Sequence, residues 1–260
     1  MVFTSTRMRF AAAMTFLLAA SWSLAQHPAE AKFPKVTATV ELPAPPVKVG
    51  DIGPFTAGPS KPVVVTDDDK KKLDELAKTY QKVAKNNYDL IVRTLHCESA
   101  RMHDEVHIVV TYRYNGVAAT SGSGFGGRQN VPTIQVSAKY ALAHPDDIGM
   151  VVHEMVHVVQ SYPTYDPSWL VEGIADYVRW FFYEPVDKRP HPSPAKATAR
   201  DSYRTTAAFL FWASEKYSKD LVPKLNDAFQ ANQYKESLFK DLTGKTLDEL
   251  NAEWIASLKG

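Results

Sequence analysis

Two histidines four residues apart, His153 and His157, with Glu154 beside the first, stand in the segment DIGMVVHEMVHVVQSY. On a helix that spacing stacks both imidazoles on one face, where they can grip a single metal ion, and it leaves a carboxylate placed to take a proton from a water. The surroundings strengthen the pattern. Met150, Val151, Val152, Met155, Val156, Val158 and Val159 make this helix apolar nearly all round, so it belongs in the interior. An imidazole or carboxylate left unpaired there costs roughly 2 kcal/mol or more, and one metal ion satisfies all three groups together. Two core histidines bonded to backbone are the alternative. Gln160 continues the same stripe and is expected only to hydrogen-bond locally.

Zinc held by two histidines takes a third protein ligand and, in a catalytic site, keeps its fourth position for water. Fourteen residues separate His157 from Glu172, which lies in a second apolar stretch, WLVEGIADYVRWFF. Glu172 and Asp176 are about one helical turn apart and share a face, and Gly173 between them permits close approach of another helix. Glu172 is expected as the third ligand. Asp176 then accepts the outer ring N–H of a ligand histidine, His153 in first place; the reverse arrangement, with Asp176 as ligand, stays open. A structural zinc site would be closed by a fourth protein ligand, for which His144, Asp166 and His191 are available.

The elements that must position these residues follow from pattern. After Thr66, TDDDKKKLDELAKTYQKVAKNNYDLIVRTLH predicts a long amphipathic helix with acids in its first turn and Asn86 as a candidate break. VHIVVTYRY (Val106 to Tyr114) and VPTIQVSA predict two or three strands of an antiparallel or mixed sheet. The intervening glycines, Gly122 to Gly127, read as a flexible connector, because no Lys-Ser/Thr follows them and they join strands rather than open a helix. From His144 onward the pattern is helical, and Thr246 with Glu249 predicts a capping box on the last helix. The fold class is therefore α+β: an N-terminal helix and a small mixed or antiparallel sheet, then a mostly helical half.

The first 25 residues carry Arg7 and Arg9, an apolar run from Phe10 to Ala20, and small residues at Ser23 and Ala25. This predicts a signal peptide cleaved after Ala25, because the run is too short to span a bilayer, which takes roughly 20 residues. Residues 26–65, rich in proline and alanine, are expected as an extended or disordered arm, and residues 66–260 as the functional domain. Removing the leader changes the formal charge from +1 to −1, which argues against nucleic acid or an anionic membrane as partner. The single cysteine, Cys97, excludes an internal disulfide and is expected to pack as a small apolar side chain. A secreted or periplasmic protein is expected, with no stable membrane insertion.

HEMVHVVQ paired with WLVEGIADYVRW resembles the basic secretory protein family, among the gluzincin-like metallopeptidases, and the similarity extends from about Asp67 to the C-terminus through QVSAKY, SYRTTAAFL and DLTGKTLDEL. The resemblance implies a zincin-like fold and one zinc ion (Zn2+). It also implies a peptide or protein substrate, hydrolysed by water with Glu154 as general base, and it favours Glu172 over Asp176 as the acidic ligand. SYRTTAAFLFW is similar to the helix that supplies an oxyanion-binding tyrosine in aminopeptidase-like relatives, which points to Tyr203, with Tyr162 and Tyr165 as weaker competitors. The strand from Thr133 to Ser137 is similar to the edge strand on which gluzincins align substrate. Two departures stand out: the fourteen-residue spacing is shorter than in those enzymes, and the mature chain is not basic. The rival functions are a zinc-stabilised binding protein without activity and a zinc hydrolase of non-peptide amides such as cell-wall crosslinks.

Overall fold

Among the described residues a four-stranded sheet and eight α-helices are arranged so that two buried helices line an open cleft. The computed structural model describes residues 33–43, 64–97, 103–122 and 131–259. The expected leader, its cleavage point and most of the glycine-rich connector lie outside the described residues.

The long helix α1, Asp67–Leu95, starts at Thr66, whose hydroxyl accepts from the Asp69 N–H while the Asp69 carboxylate accepts from the Thr66 N–H. This reciprocal cap, with Asp67, Asp68 and Asp69 in the first turn, satisfies backbone donors and suits the helix dipole. The buried stripe Leu73, Ala77, Tyr80, Ala84, Tyr88, Ile91 and Leu95 faces the core. The break considered at Asn86 does not occur. Asn87 instead donates to the Val83 carbonyl at 2.9 Å, and the helix ends only at His96, whose left-handed backbone (φ 51°) turns the chain away.

Strand β1 (Lys35–Glu41) pairs in parallel with β2 (Glu105–Thr111), which pairs in parallel with β4 (Thr133–Ser137), and β3 (Ala118–Ser121) runs antiparallel on the far side of β4. The sheet is thus mixed, and it takes in seven residues of the segment read as an arm. Period-two alternation sends Val106, Ile108, Val110, Ile134 and Val136 inward. The strand expected at the edge, Thr133–Ser137, is internal; β3 occupies that edge because its antiparallel ladder covers the outer side of β4.

After the short α2 (Ala138–Ala143) come α3 (Gly149–Gln160) and α4 (Ser168–Val178), the latter continuing through a π-helical turn, Arg179–Tyr183. Both are buried on nearly every side, as their continuous apolar sequences require. Helices α5 (Tyr203–Lys216), α6 (Leu221–Gln230), α7 (Leu238–Thr243) and α8 (Leu247–Ser257) complete the domain. The capping box of α8, Thr246 with Glu249, is present. Phe209 of α5 packs against Phe239 of α7 and Trp254 of α8. Among the described residues no helix is long and apolar enough to cross a membrane.

Gly173 decides how closely α4 approaches α5. A Cβ at that position would sit 2.1 Å from Thr206 Cγ2 and 2.7 Å from its Cβ, and Thr206 is itself held, donating to the Ala199 carbonyl at 2.8 Å. A β-branched side chain so fixed cannot yield. Gly173→Ala is therefore expected to destabilise the domain by about 1–3 kcal/mol, read as a lower urea midpoint; an unchanged midpoint would mean that the helices can part freely.

Candidate metal centre

His153 and His157 project from successive turns of α3 with their Nε2 atoms 3.1 Å apart. Glu172, on α4, brings Oε2 to 3.0 Å from His153 Nε2 and 3.5 Å from His157 Nε2. Three donors from two helices thus form a small triangle. An ion bound at about 2.0–2.1 Å with near-tetrahedral angles separates its donor atoms by roughly 3.3 Å, so both the donor types and their spacing fit a single zinc-sized ion. Among the described residues the donor cluster comprises these three side chains; His144, Asp166 and His191 do not join it.

The outer ring nitrogens are each held by a separate acceptor. His153 Nδ1 lies 2.7 Å from Asp176 Oδ1, and His157 Nδ1 lies 2.7 Å from Gln160 Oε1. Because a carboxylate and an amide oxygen accept from the Nδ1 atoms, release of the Nε2 protons to an incoming cation would leave each Nε2 lone pair turned toward the triangle. Asp176 therefore sits behind His153, away from the donor triangle. Gln160 does more than the sequence reading allowed. Its Nε2 donates to the Val171 carbonyl at 3.1 Å, so one amide ties a histidine of α3 to the backbone immediately before Glu172. The i+3 spacing from His157 was the available signal, but it could not reveal that α4 supplies a carbonyl there.

Charge is concentrated around the triangle. Burial disfavours the charged form of His153, yet hydrogen bonds to Asp176 and Glu172 outweigh it and hold the imidazole up to about 10. Burial likewise opposes ionisation of Glu172, but hydrogen bonds from His153 and His157 pull its carboxyl down to about 2. With Glu154, Glu172 and Asp176 all buried, the site gathers three acidic groups around two imidazoles, a surroundings suited to a cation.

Above the donors opens a cleft of about 740 Å³. Glu154 faces it, and its Oε2 accepts from the Thr120 hydroxyl at 2.7 Å; the same hydroxyl reaches the Glu154 carbonyl at 3.1 Å. Thr120 belongs to β3, so the edge strand is tied directly to the carboxylate beside the donors. Its role was invisible in the sequence, because a four-residue strand of alanine, threonine and serine carries little pattern.

Opposite β3, Tyr203 lies nearly parallel to the His153 ring at 6.0 Å between centroids, with 53% of its surface exposed. It is placed by an unusual turn: Ser202 (φ 67°) and Tyr203 (φ 47°) both adopt positive φ without being glycine, which costs of order 1–3 kcal/mol each and must be maintained by the surrounding packing. Burial and the negative charges of Glu172, Asp176 and Glu154 push the Tyr203 phenol up, so it stays a proton donor. Tyr114 also lines the cleft, but its hydroxyl donates to the Ala118 carbonyl at 3.1 Å. Tyr165 stands on the His157 side, 6.3 Å between ring centroids. Tyr162 is a poor competitor for an oxyanion role, because it is buried and its hydroxyl donates to Asn226 Oδ1 at 2.9 Å.

Two histidines and a glutamate buried at the base of an open cleft define a candidate site for one divalent metal ion. The family profile described as BSP, peptidase of plants and bacteria, matches residues 70–254. The chain belongs to this basic secretory protein family, a family of peptidases. No curated protein and no solved structure gives a match.

The Gln160 amide generates a test of the centre. Replacing an outer hydrogen-bond partner of a metal ligand typically weakens binding about 10- to 100-fold. Gln160→Leu should lower zinc affinity by that factor in competition with a chromophoric chelator, while far-ultraviolet circular dichroism stays unchanged; undiminished affinity would mean that His157 is oriented by other contacts.

Proposed function

We propose that the chain is an exported, zinc-dependent metallopeptidase of gluzincin-like type. The observation that carries this reading is the juxtaposition of three donor atoms, His153 Nε2, His157 Nε2 and Glu172 Oε2, with the Glu154 carboxylate held at the floor of the same cleft. Among the described residues the donors number three rather than four, which suits a catalytic centre that leaves a position for water and supports an enzyme over a zinc-stabilised binding protein. Membership of a peptidase family supports a peptide substrate over a non-peptide amide. Export rests on the predicted leader, residues 1–25, and on the secretory character in the family's name.

When bound, the ion supplies Lewis acidity, lowering the pKa of a water and polarising the scissile carbonyl. Glu154 takes a proton from the attacking water and delivers it to the leaving amine. The Thr120 hydroxyl, donating to Glu154 Oε2, fixes which carboxylate oxygen stays free for that transfer. Tyr203 donates its phenolic hydrogen to the developing oxyanion, for which its raised pKa and its position facing His153 suit it. An extended substrate lies along β3, the sheet edge at the cleft, where backbone groups not already paired with β4 or Tyr114 can bond a peptide of any sequence. Asp176 and Gln160 hold the two ligand imidazoles in the tautomer that binds metal.

Glu154→Gln should retain one zinc per chain and lose at least about 100-fold in peptide hydrolysis; activity equal to that of the parent would remove the proposed base. Tyr203→Phe should keep zinc content and lower kcat by about 10²-fold with a smaller change in KM. A loss of zinc in that variant, or an unchanged kcat, would mean that the phenol does not stabilise the oxyanion.

A further inference from the structure

A second group of charged side chains lies at the other end of α3 and is not used by the proposed chemistry. Arg179 is buried there, pairing with Asp147 and lying 3.5 Å from Glu184 Oε1. Both carboxylates are further committed. Asp147 accepts from the Tyr140 hydroxyl at 2.6 Å, and Glu184 lies 3.8 Å from Lys188. This group packs on Gly149, the first residue of α3: a Cβ there would meet Glu184 Oε1 at 2.1 Å and Arg179 Nε at 2.9 Å. Gly149 precedes His153 by four residues, so the group stands about 6 Å along the helix axis from the metal donors.

Arg204 is the exposed member of this corner. Its guanidinium lies over the Trp180 ring at 4.1 Å from the centroid, and the same ring carries Arg179 at 4.5 Å. Arg204 lines both the main cleft and the smaller pocket of about 360 Å³ beside it. Among the described residues no carboxylate lies within ion-pair distance of it. The nearby carboxylate of Asp201 is also occupied, accepting from Thr198 N at 2.8 Å and Thr198 Oγ1 at 2.9 Å. Asp147 lines the same smaller pocket, which places Arg204 at the same end of the cleft as Asp147. Chain geometry fixes it further, because Arg204 follows Tyr203, whose ring faces His153.

We propose that Arg204 is a specificity determinant, selecting peptides that carry a carboxylate close to the bond cleaved. A guanidinium packed over an aromatic ring loses less freedom on binding and can offer its N–H groups for a paired contact with a carboxylate. The carboxylate comes from an acidic side chain or from the substrate's own C-terminus. This inference rests on the peptidase reading above, and binding can be measured without turnover.

The test uses the full mature chain with quenched fluorescent peptides in which Asp replaces Asn at one position at a time, each made with a free and an amidated C-terminus. Cleavage gives kcat/KM, and anisotropy with the Glu154→Gln chain gives affinity whether or not any peptide is hydrolysed. A carboxylate at the favoured position should improve kcat/KM, or affinity, by about ten-fold at low salt. Arg204→Gln should bring the ratio of acidic to neutral peptide close to one, acting mainly through KM, and Arg204→Lys should restore only part of it. Loss of the preference on amidation alone would identify the C-terminal carboxylate as the group recognised, whereas persistence would identify the side chain. Equal treatment of acidic and neutral peptides in both assays would overturn the proposal, as would a preference that survives in Arg204→Gln. Selective binding without hydrolysis by the unsubstituted chain would instead count against the peptidase reading while leaving Arg204 as the anion-recognition group.

Discussion

The whole arrangement depends on charge buried between two apolar helices. Helices α3 and α4 are apolar on almost every face, yet between them they bury His153, Glu154, Glu172 and Asp176. Groups of this kind are tolerated in an interior only when each is paired, and an ion pair stripped of one partner costs several kcal/mol. The chain meets this demand with a closed set of contacts: Asp176 behind His153, Gln160 behind His157, Thr120 on Glu154, and the three inward donors facing one another. Each contact crosses from one element to another or links adjoining helical turns. The donor triangle is consequently positioned by the protein's own contacts, the arrangement that preorganised metal binding and catalysis require.

Packing outside the centre serves the same end. The absence of a side chain at Gly173 lets α5 close against α4, and α5 begins with the strained Ser202–Tyr203 turn that carries a phenol to the mouth of the site. On the opposite wall the antiparallel strand β3 runs beside the cleft and holds Glu154 through Thr120. The cleft thus has a backbone edge on one side and an aromatic and basic wall on the other, with the donors below. At one end the buried Arg179 pairs with two half-buried carboxylates, leaving Arg204 exposed on Trp180.

Much of this was legible in the sequence where the signal is local. The stacking of His153 on His157 follows from the helical repeat, the acids at the start of α1 and the Thr246–Glu249 cap follow from helix-end chemistry, and the apolar runs of α3 and α4 announce buried helices. Legibility ended where one element's role depends on another's position. Gln160 looked like a bystander because the carbonyl it ties to lies on α4. The edge of the sheet was expected at Thr133–Ser137 because Ile134 and Val136 alternate clearly there; Ala118–Ser121, short and weakly patterned, takes that edge only through its ladder with β4. The strand at Lys35–Glu41 lies beside prolines and gains its place from pairing with β2, a partner about 70 residues away in the chain. The corner around Arg204 offers no motif at all, being assembled from three separate stretches of chain.

X-ray absorption at the zinc edge, on the chain loaded with one equivalent of zinc, bears most directly on the claim that α3 and α4 together build a single catalytic metal site. The expected spectrum has a first shell of nitrogen and oxygen alone at about 2.0–2.1 Å, with the outer-ring scattering of two imidazoles, reduced to that of one in His157→Ala. A sulfur contribution, a third imidazole, or a spectrum unaltered by that substitution would contradict it.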